Sequence, residues 1–203
     1  HIIKQRYFEE EISNEVNLSY SDNQVTVTTD YLTLVYTLNS EGYASQCVYS
    51  LSSQNRIYQF SYSAEGYLTG IVENIDNREY SSTSLTYENG DITSISSKMN
   101  GLENKFIYEP GEESSTYHLP CLGLLEIHPL TFHIEALYAG LLGKDPRHFT
   151  IRSCPAGSND EKTVYSYGFD KKGNPSRMIC QTTYAGGQAS YYPYTRNISI
   201  SFE

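Results

Sequence analysis

Apolar and small polar residues alternate one by one through most of this chain, and Gly or Asn interrupts the alternation at intervals. In YQFSYSAEGYLTG (Tyr58 to Gly70), Phe60 and Tyr62 lead into Gly66, and Leu68 and Ile71 follow it. Gly42 has Tyr36 and Leu38 before it and Ala44 and Cys47 after it; Gly90 has Leu85 and Tyr87 before it and Ile92 and Ile95 after it. These three glycines are spaced 24 residues apart. Gly173 repeats the arrangement with Tyr167, Phe169, Pro175 and Met178. LSYSDNQVTVT puts Asn23 at the same place, while FIYEPG and TTYAGG put Gly111 and Gly187 three residues after a Tyr.

A period of two marks a strand with one covered face. A short polar run ending in a residue that accepts positive φ reverses the chain. Asn23, Gly42, Gly66, Gly90, Gly111, Gly173 and Gly187 are therefore the expected hairpin turns. A unit of this length holds two strands of roughly 8–10 residues with their reversals. Units in series build an antiparallel meander in which each hairpin contacts mainly its neighbours. About fourteen strands follow if every site is a hairpin, and a sheet that wide must form a curved open sheet or a partly closed barrel. The fold class expected is mainly β, as one β-repeat domain over residues 1–203.

The alternation stops between Gly111 and Tyr165. HPLTFHIEALYAGLLGKDP (His128 to Pro146) has helical periodicity, with Leu130, Ile134, Leu137, Tyr138 and Leu141 on one stripe. Pro129 suits the first helical position and Gly143 the C-terminal cap. One helix over about 129–142, inside an insertion over about 119–145, is expected to pack on the concave side of the sheet and supply the Leu that the strands lack. Glu126, His128, Pro129, His133 and Glu135 interrupt its apolar character, which argues against a membrane-spanning helix.

FDKKGNP (Phe169 to Pro175), preceded by Tyr165 and Tyr167, resembles the YD-type repeat of secreted and surface bacterial proteins, although the copies at Gly42 and Gly66 lack the Asp. The whole layout, with Gly-Leu-Leu-Gly-Lys at Gly140 to Lys144 and a following Tyr-x-Tyr-x-Phe-Asp strand, resembles a family of uncharacterised exported Bacteroidetes proteins. That resemblance implies a porin-like fold, export to the periplasm, cell surface or outer membrane, and an N-terminal lipid anchor on the precursor. It supplies no catalytic residues to carry over.

Composition sharpens the reading. Tyr occurs 20 times and Trp not at all, and apolar residues make up 38% of 203, which suits thin β layers. A net charge of −10 would be repelled by phosphate backbones, so no nucleic-acid partner is expected. The strands' alternate positions are Ser, Thr, Gln and Glu rather than a lipid-facing band, which argues against a membrane-spanning barrel. The chain begins at His1 without Met or an apolar leader, as expected after removal of a signal segment. Cys47, Cys121, Cys154 and Cys180 allow two disulfides in three connectivities or four inert thiols.

Candidate chemistry is sparse. His118, His128 and His133 lie near Glu126 and Glu135, but the i, i+5 spacing of His128 and His133 puts them on different sides of a helix, so they read as polar rim residues. Cys121 matches no Cys–His framework. Glu9–Glu11 and Glu112–Glu113 read as solvated strand ends, and Asn17 and Asn197 sit in glycosylation patterns by chance. No metal or cofactor is expected. Tyr58, Tyr62, Tyr67, Tyr191, Tyr192 and Tyr194 are the candidate ligand-binding residues, forming an aromatic surface for a glycan or a surface protein. This favours a non-catalytic binding or structural module of the cell envelope. A hydrolase of glycans or lipids, with its site at the helix–sheet junction, is the alternative.

Overall fold

A computed structural model describes residues 2–7, 10–29, 32–51, 54–114, 127–158, 160–171, 175–183 and 194–199. The N-terminal strands are β1 (Ile2–Tyr7), β2 (Glu10–Glu15), β3 (Asn17–Ser21), β4 (Gln24–Thr28) and β5 (Thr33–Leu38). The central strands are β6 (Ala44–Leu51), β7 (Gln54–Tyr62), β8 (Leu68–Ile75), β9 (Arg78–Glu88), β10 (Asp91–Met99) and β11 (Leu102–Ser114). After the insertion come β12 (His148–Pro155), β13 (Lys162–Phe169), β14 (Pro175–Thr183) and β15 (Tyr194–Ser199).

Strands β3 to β15 form one 13-stranded sheet in chain order. The expected meander is thus present, and β3 and β15 remain its two unjoined ends. β1 and β2 form a separate two-stranded sheet. Only the buried Val16 separates β2 from β3, and β1 lies beside β15. No helix among the described residues is long and apolar enough to cross a membrane.

Alternation decides which face is covered. In β9, Ser81, Thr83 and Leu85 are buried, whereas Ser84 and Thr86 are exposed. The same face of the other strands carries Val25, Val27, Leu34, Tyr36, Cys47, Tyr58, Phe60, Ile71, Ile92, Ile95, Tyr108, Tyr165 and Met178. Ile127, Leu130, Ala136, Leu137, Leu141 and Leu142 of the insertion join that cluster, so the insertion does supply the missing Leu.

The insertion is not one helix. A 3-10 turn (Leu130–Phe132) is followed by the short helix α1 (Ile134–Tyr138). His133 breaks the run between them, with φ −124° and ψ 25°. Periodicity recorded the apolar stripe but could not register that His133 is drawn into the sheet. The helix also ends earlier than expected. Gly140 (φ +70°), not Gly143, follows the cap, and Gly140 N–H and Leu141 N–H donate to the Leu137 and Ala136 carbonyls. This is the paired C-terminal closure that a left-handed residue permits.

The turns agree in part. Gly42, Gly66 and Gly90 each have φ between +83° and +92°. Gly42 and Gly66 close matching loops: Asn39 N–H donates to Tyr43 O and Ser63 N–H to Tyr67 O, while Asn39 Oδ1 and Ser63 Oγ accept from the Tyr43 and Tyr67 amides. Asn89–Gly90 is a two-residue hairpin with both φ values positive, as are Asp76–Asn77 and Asn100–Gly101, which the repeat pattern missed. Asn23 lies in its turn, but the positive φ falls on Asp22. Gly111 is not a turn: β11 continues through it, with register irregularities against β12 between Glu109 and Ser114. A Cβ there would sit 2.7 Å from Ile151 Cγ2, so this glycine provides room between strands rather than a reversal. Gly173 and Gly187 lie outside the described residues, although β13 pairs with β14 and β14 with β15 in antiparallel fashion around them.

Candidate functional site

Register gathers residues that sequence leaves scattered. Tyr36 pairs with Cys47, Cys47 with Tyr58, Tyr58 with Glu73, and Glu73 with Ser81. These five side chains form one row across β5–β9 on the covered face, and all are buried. Residue 80 is extra in the β8–β9 register, a bulge that puts Tyr80 beside the row.

The insertion docks on this row through two histidines. His128 Nε2 donates to Glu73 Oε2 at 2.6 Å, beside the Ser81 hydroxyl at 2.8 Å. Arg56 Nη1 at 3.0 Å and the Tyr58 hydroxyl at 3.2 Å donate to Glu73 Oε1. Four donors thus occupy the roughly four lone-pair sites of one buried carboxylate. Burial alone would raise the Glu73 carboxyl, but hydrogen bonds from His128 and Ser81 outweigh it and hold it below the usual carboxylate range. The His128 carbonyl lies 3.1 Å from both the Thr83 and Ser97 hydroxyls. Arg56 also packs over the rings of Tyr80 and Phe132.

His133 enters the row five residues further on. Its Nδ1 and the Tyr36 hydroxyl are hydrogen-bonded at 2.8 Å, and the rings of Tyr58, Phe60 and Tyr36 surround it at 4.4, 5.2 and 5.8 Å. Its Nε2 is buried without a partner among the described residues. Burial pushes His133 down to about 3, so it is neutral, and pushes the neighbouring Cys47 thiol up to about 12. Neither histidine is a rim residue: both are anchors. His118 and Glu126 lie outside the described residues, and no cluster of three or more His, Cys, Asp or Glu side chains suits a metal ion among the described ones. No disulfide joins Cys47, Cys154 and Cys180 to one another; Cys121 lies outside the described residues.

Beyond α1 the chain becomes a strap across the turn end of the sheet. Ala44 N–H donates to Leu141 O at 2.7 Å, Lys144 N–H to Gly66 O at 2.9 Å, and Arg147 N–H to Gly90 O at 3.0 Å. The strap therefore advances three residues from one hairpin to the next, and Gly66 to Gly90 is one 24-residue repeat. Geometry explains the ratio. One hairpin covers two strand spacings, about 9.6 Å, and three extended residues reach about 10 Å. Next to the last contact, Asp91 accepts from His148 N–H and pairs with its Nδ1, both at 2.8 Å. Gly143 (φ +90°) is needed midway, since a Cβ there would lie 2.7 Å from Gly66 O. The repeats also interlock beneath the strap: Tyr43 lies over Gly66, and Tyr67 lies over Gly90 beside the Arg147 stem.

Between strap and turns runs an open groove of about 630 Å³, lined by Tyr43, Tyr138, Lys144, Asp145, Arg147 and neighbouring backbone. Of the tyrosines expected to bind, Tyr58 is wholly buried and hydrogen-bonded to Glu73. Tyr62 lies where β6 meets the strap, its hydroxyl donating to Ala44 O at 2.6 Å and lying 3.5 Å from Leu141 O. Tyr67 is half-buried and stacks on Tyr87 at 4.9 Å. Tyr191 and Tyr192 lie outside the described residues, as does the side chain of Tyr194. Sequence reasoning missed Glu73, Tyr43 and Tyr138. The signal available for Tyr43 was the repeated Gly-Tyr pair at Gly42–Tyr43 and Gly66–Tyr67.

Residues 2–177 match the family described as a domain of unknown function (DUF4595) with porin-like fold. Among solved structures, the chain is similar to a porin-like protein from Bacteroides uniformis, at 26% identity and a TM-score of 0.84, over 98% of this chain and 83% of that one. No curated protein matches.

Proposed function

This chain belongs to the family of domains of unknown function (DUF4595) with porin-like fold, and on that premise we propose that it is an exported, non-catalytic binding module of the cell envelope. The observation that carries the reading is the groove at the turn end, whose walls are fixed by the strap's three backbone hydrogen bonds to successive repeats. A site on a rigid frame binds without an ordering cost. Tyr43 and Tyr138 give it aromatic surface, the kind that stacks on sugars or grips a protein.

The helix–sheet junction, where a hydrolase would need its acid or base, favours this reading over catalysis. Its carboxylate is already saturated by four donors, and its two histidines hold the insertion in place. The envelope setting is supported by the likeness to a porin-like protein of Bacteroides. Export with a lipid anchor belongs to the same proposal. A glycan array probed with the purified protein tests it. Retention of at least one glycan class is expected, with a loss of about tenfold or more in Tyr43→Ala. Retention unchanged in Tyr43→Ala, or no retention at all, would remove the groove from the account.

A further inference from the structure

The groove gathers cationic side chains on a chain that is negative overall. The protein carries −10, yet the groove's lining presents Lys144 and Arg147 beside Asp145, with the exposed Glu65 carboxylate interacting with Lys144. The strap fixes the backbone that carries these two cations. Their amides are bonded to Gly66 and Gly90, equivalent points of successive repeats. The two amides therefore stand about one hairpin width, roughly 10 Å, apart. The Lys144 and Arg147 stems lie against the two turn glycines, which leave space for them. Arg147 gives one of its five N–H groups to Asn89 O, at a long 3.5 Å.

From this we infer that the groove binds an acidic oligosaccharide, a ligand that repeats anionic groups along a chain and offers ring faces to tyrosine. This rests on the reading of the groove as the binding surface and adds the ligand's charge. The groove is open along the strap, Tyr43 and Tyr138 offer ring faces, and Lys144, Asp145 and Arg147 offer charged groups to a ligand that lies along it. The cations select the acidic members of that class, since a neutral sugar gains nothing from them and a cationic one is repelled. The protein's net negative field opposes the approach of any polyanion, so the attraction acts only at close range at the strap.

Calorimetric titration of the full chain with tetragalacturonate and with its fully methyl-esterified form tests the assignment. The acid form should bind, and the neutral ester should bind about tenfold more weakly or not at all. Affinity for the acid should fall as salt rises toward about 0.15 M, as expected for exposed charges. Lys144→Gln combined with Arg147→Gln should weaken the acid about tenfold and flatten that salt dependence, while leaving the circular dichroism spectrum unchanged. Equal binding of acid and ester, or an acid affinity that ignores the double variant, overturns the inference. If neutral glycans are retained through Tyr43 without preference for acids, the groove stands as a binding surface and only the acidic class falls. If neither probe binds and the array retains nothing, both readings fall.

Discussion

Glu73→Gln should destabilise the protein by about 3 kcal/mol, seen as a lower urea midpoint with an unchanged slope. The amide keeps the shape of the carboxylate but turns one acceptor into a donor. Donors would then face donors at either the Arg56–Tyr58 or the Ser81–His128 side. Breaking a buried ion pair from one side costs about 3–5 kcal/mol. The lower end applies here, because the Arg56 and His128 side chains keep 21% and 26% exposure and water can partly replace the lost partner. A loss below about 1 kcal/mol, the size of an ordinary exposed pair, would show that Glu73 is not the anchor of the insertion.

The second large effect is on acid stability. His133 is held neutral, with a folded value of about 3 against about 6.5 unfolded. Below pH 6.5 the unfolded chain takes up a proton that the folded chain refuses. Stability from this group is therefore complete above 6.5 and is lost as pH falls towards 3, at about 1.4 kcal/mol per unit. Between pH 7 and pH 5 the loss is about 2 kcal/mol. The Glu73 carboxyl, held below its ordinary value, adds its own loss as pH falls through the usual carboxylate range towards its lower folded value. His133→Phe, which keeps an aromatic ring among Tyr36, Tyr58 and Phe60, should remove the pH 7 to 5 component. Parallel unfolding curves of both proteins at the two pH values decide the point; equal losses in each would place the acid sensitivity elsewhere.

The meander was legible because its signals are local. Aromatic alternation and a Gly at each 24-residue step specify a strand and a reversal without reference to anything distant. Gly111 misled because a glycine that makes room for a neighbouring strand looks, in sequence, like one that turns the chain. The helix was overextended for a similar reason. Leu130, Leu137 and Leu141 are buried as their spacing indicates, but the demand placed on His133 by Tyr36 comes from a strand 97 residues away. The row Tyr36–Cys47–Tyr58–Glu73–Ser81 was invisible because its steps along the chain are unequal. Each depends on a loop length, and the last on the bulge at Tyr80. Chemically, a lone Glu in LTGIVENI carries no sign that four donors converge on it. The groove was partly legible. Tyr does line the groove, but Tyr58 faces the core and Tyr43 borders the groove, a difference set by the end of the sheet that the strap crosses.

The central claim is that the strap is locked to the repeats, one contact per hairpin, and so gives the turn end a fixed binding face. Amide hydrogen exchange at Ala44, Lys144 and Arg147 measures this directly, because these N–H groups form the three contacts. The account predicts that all three exchange slowly and together, with protection close to that of the central strands. Fast exchange at Lys144 and Arg147, at the rate of an unprotected loop while the strands stay protected, would contradict it.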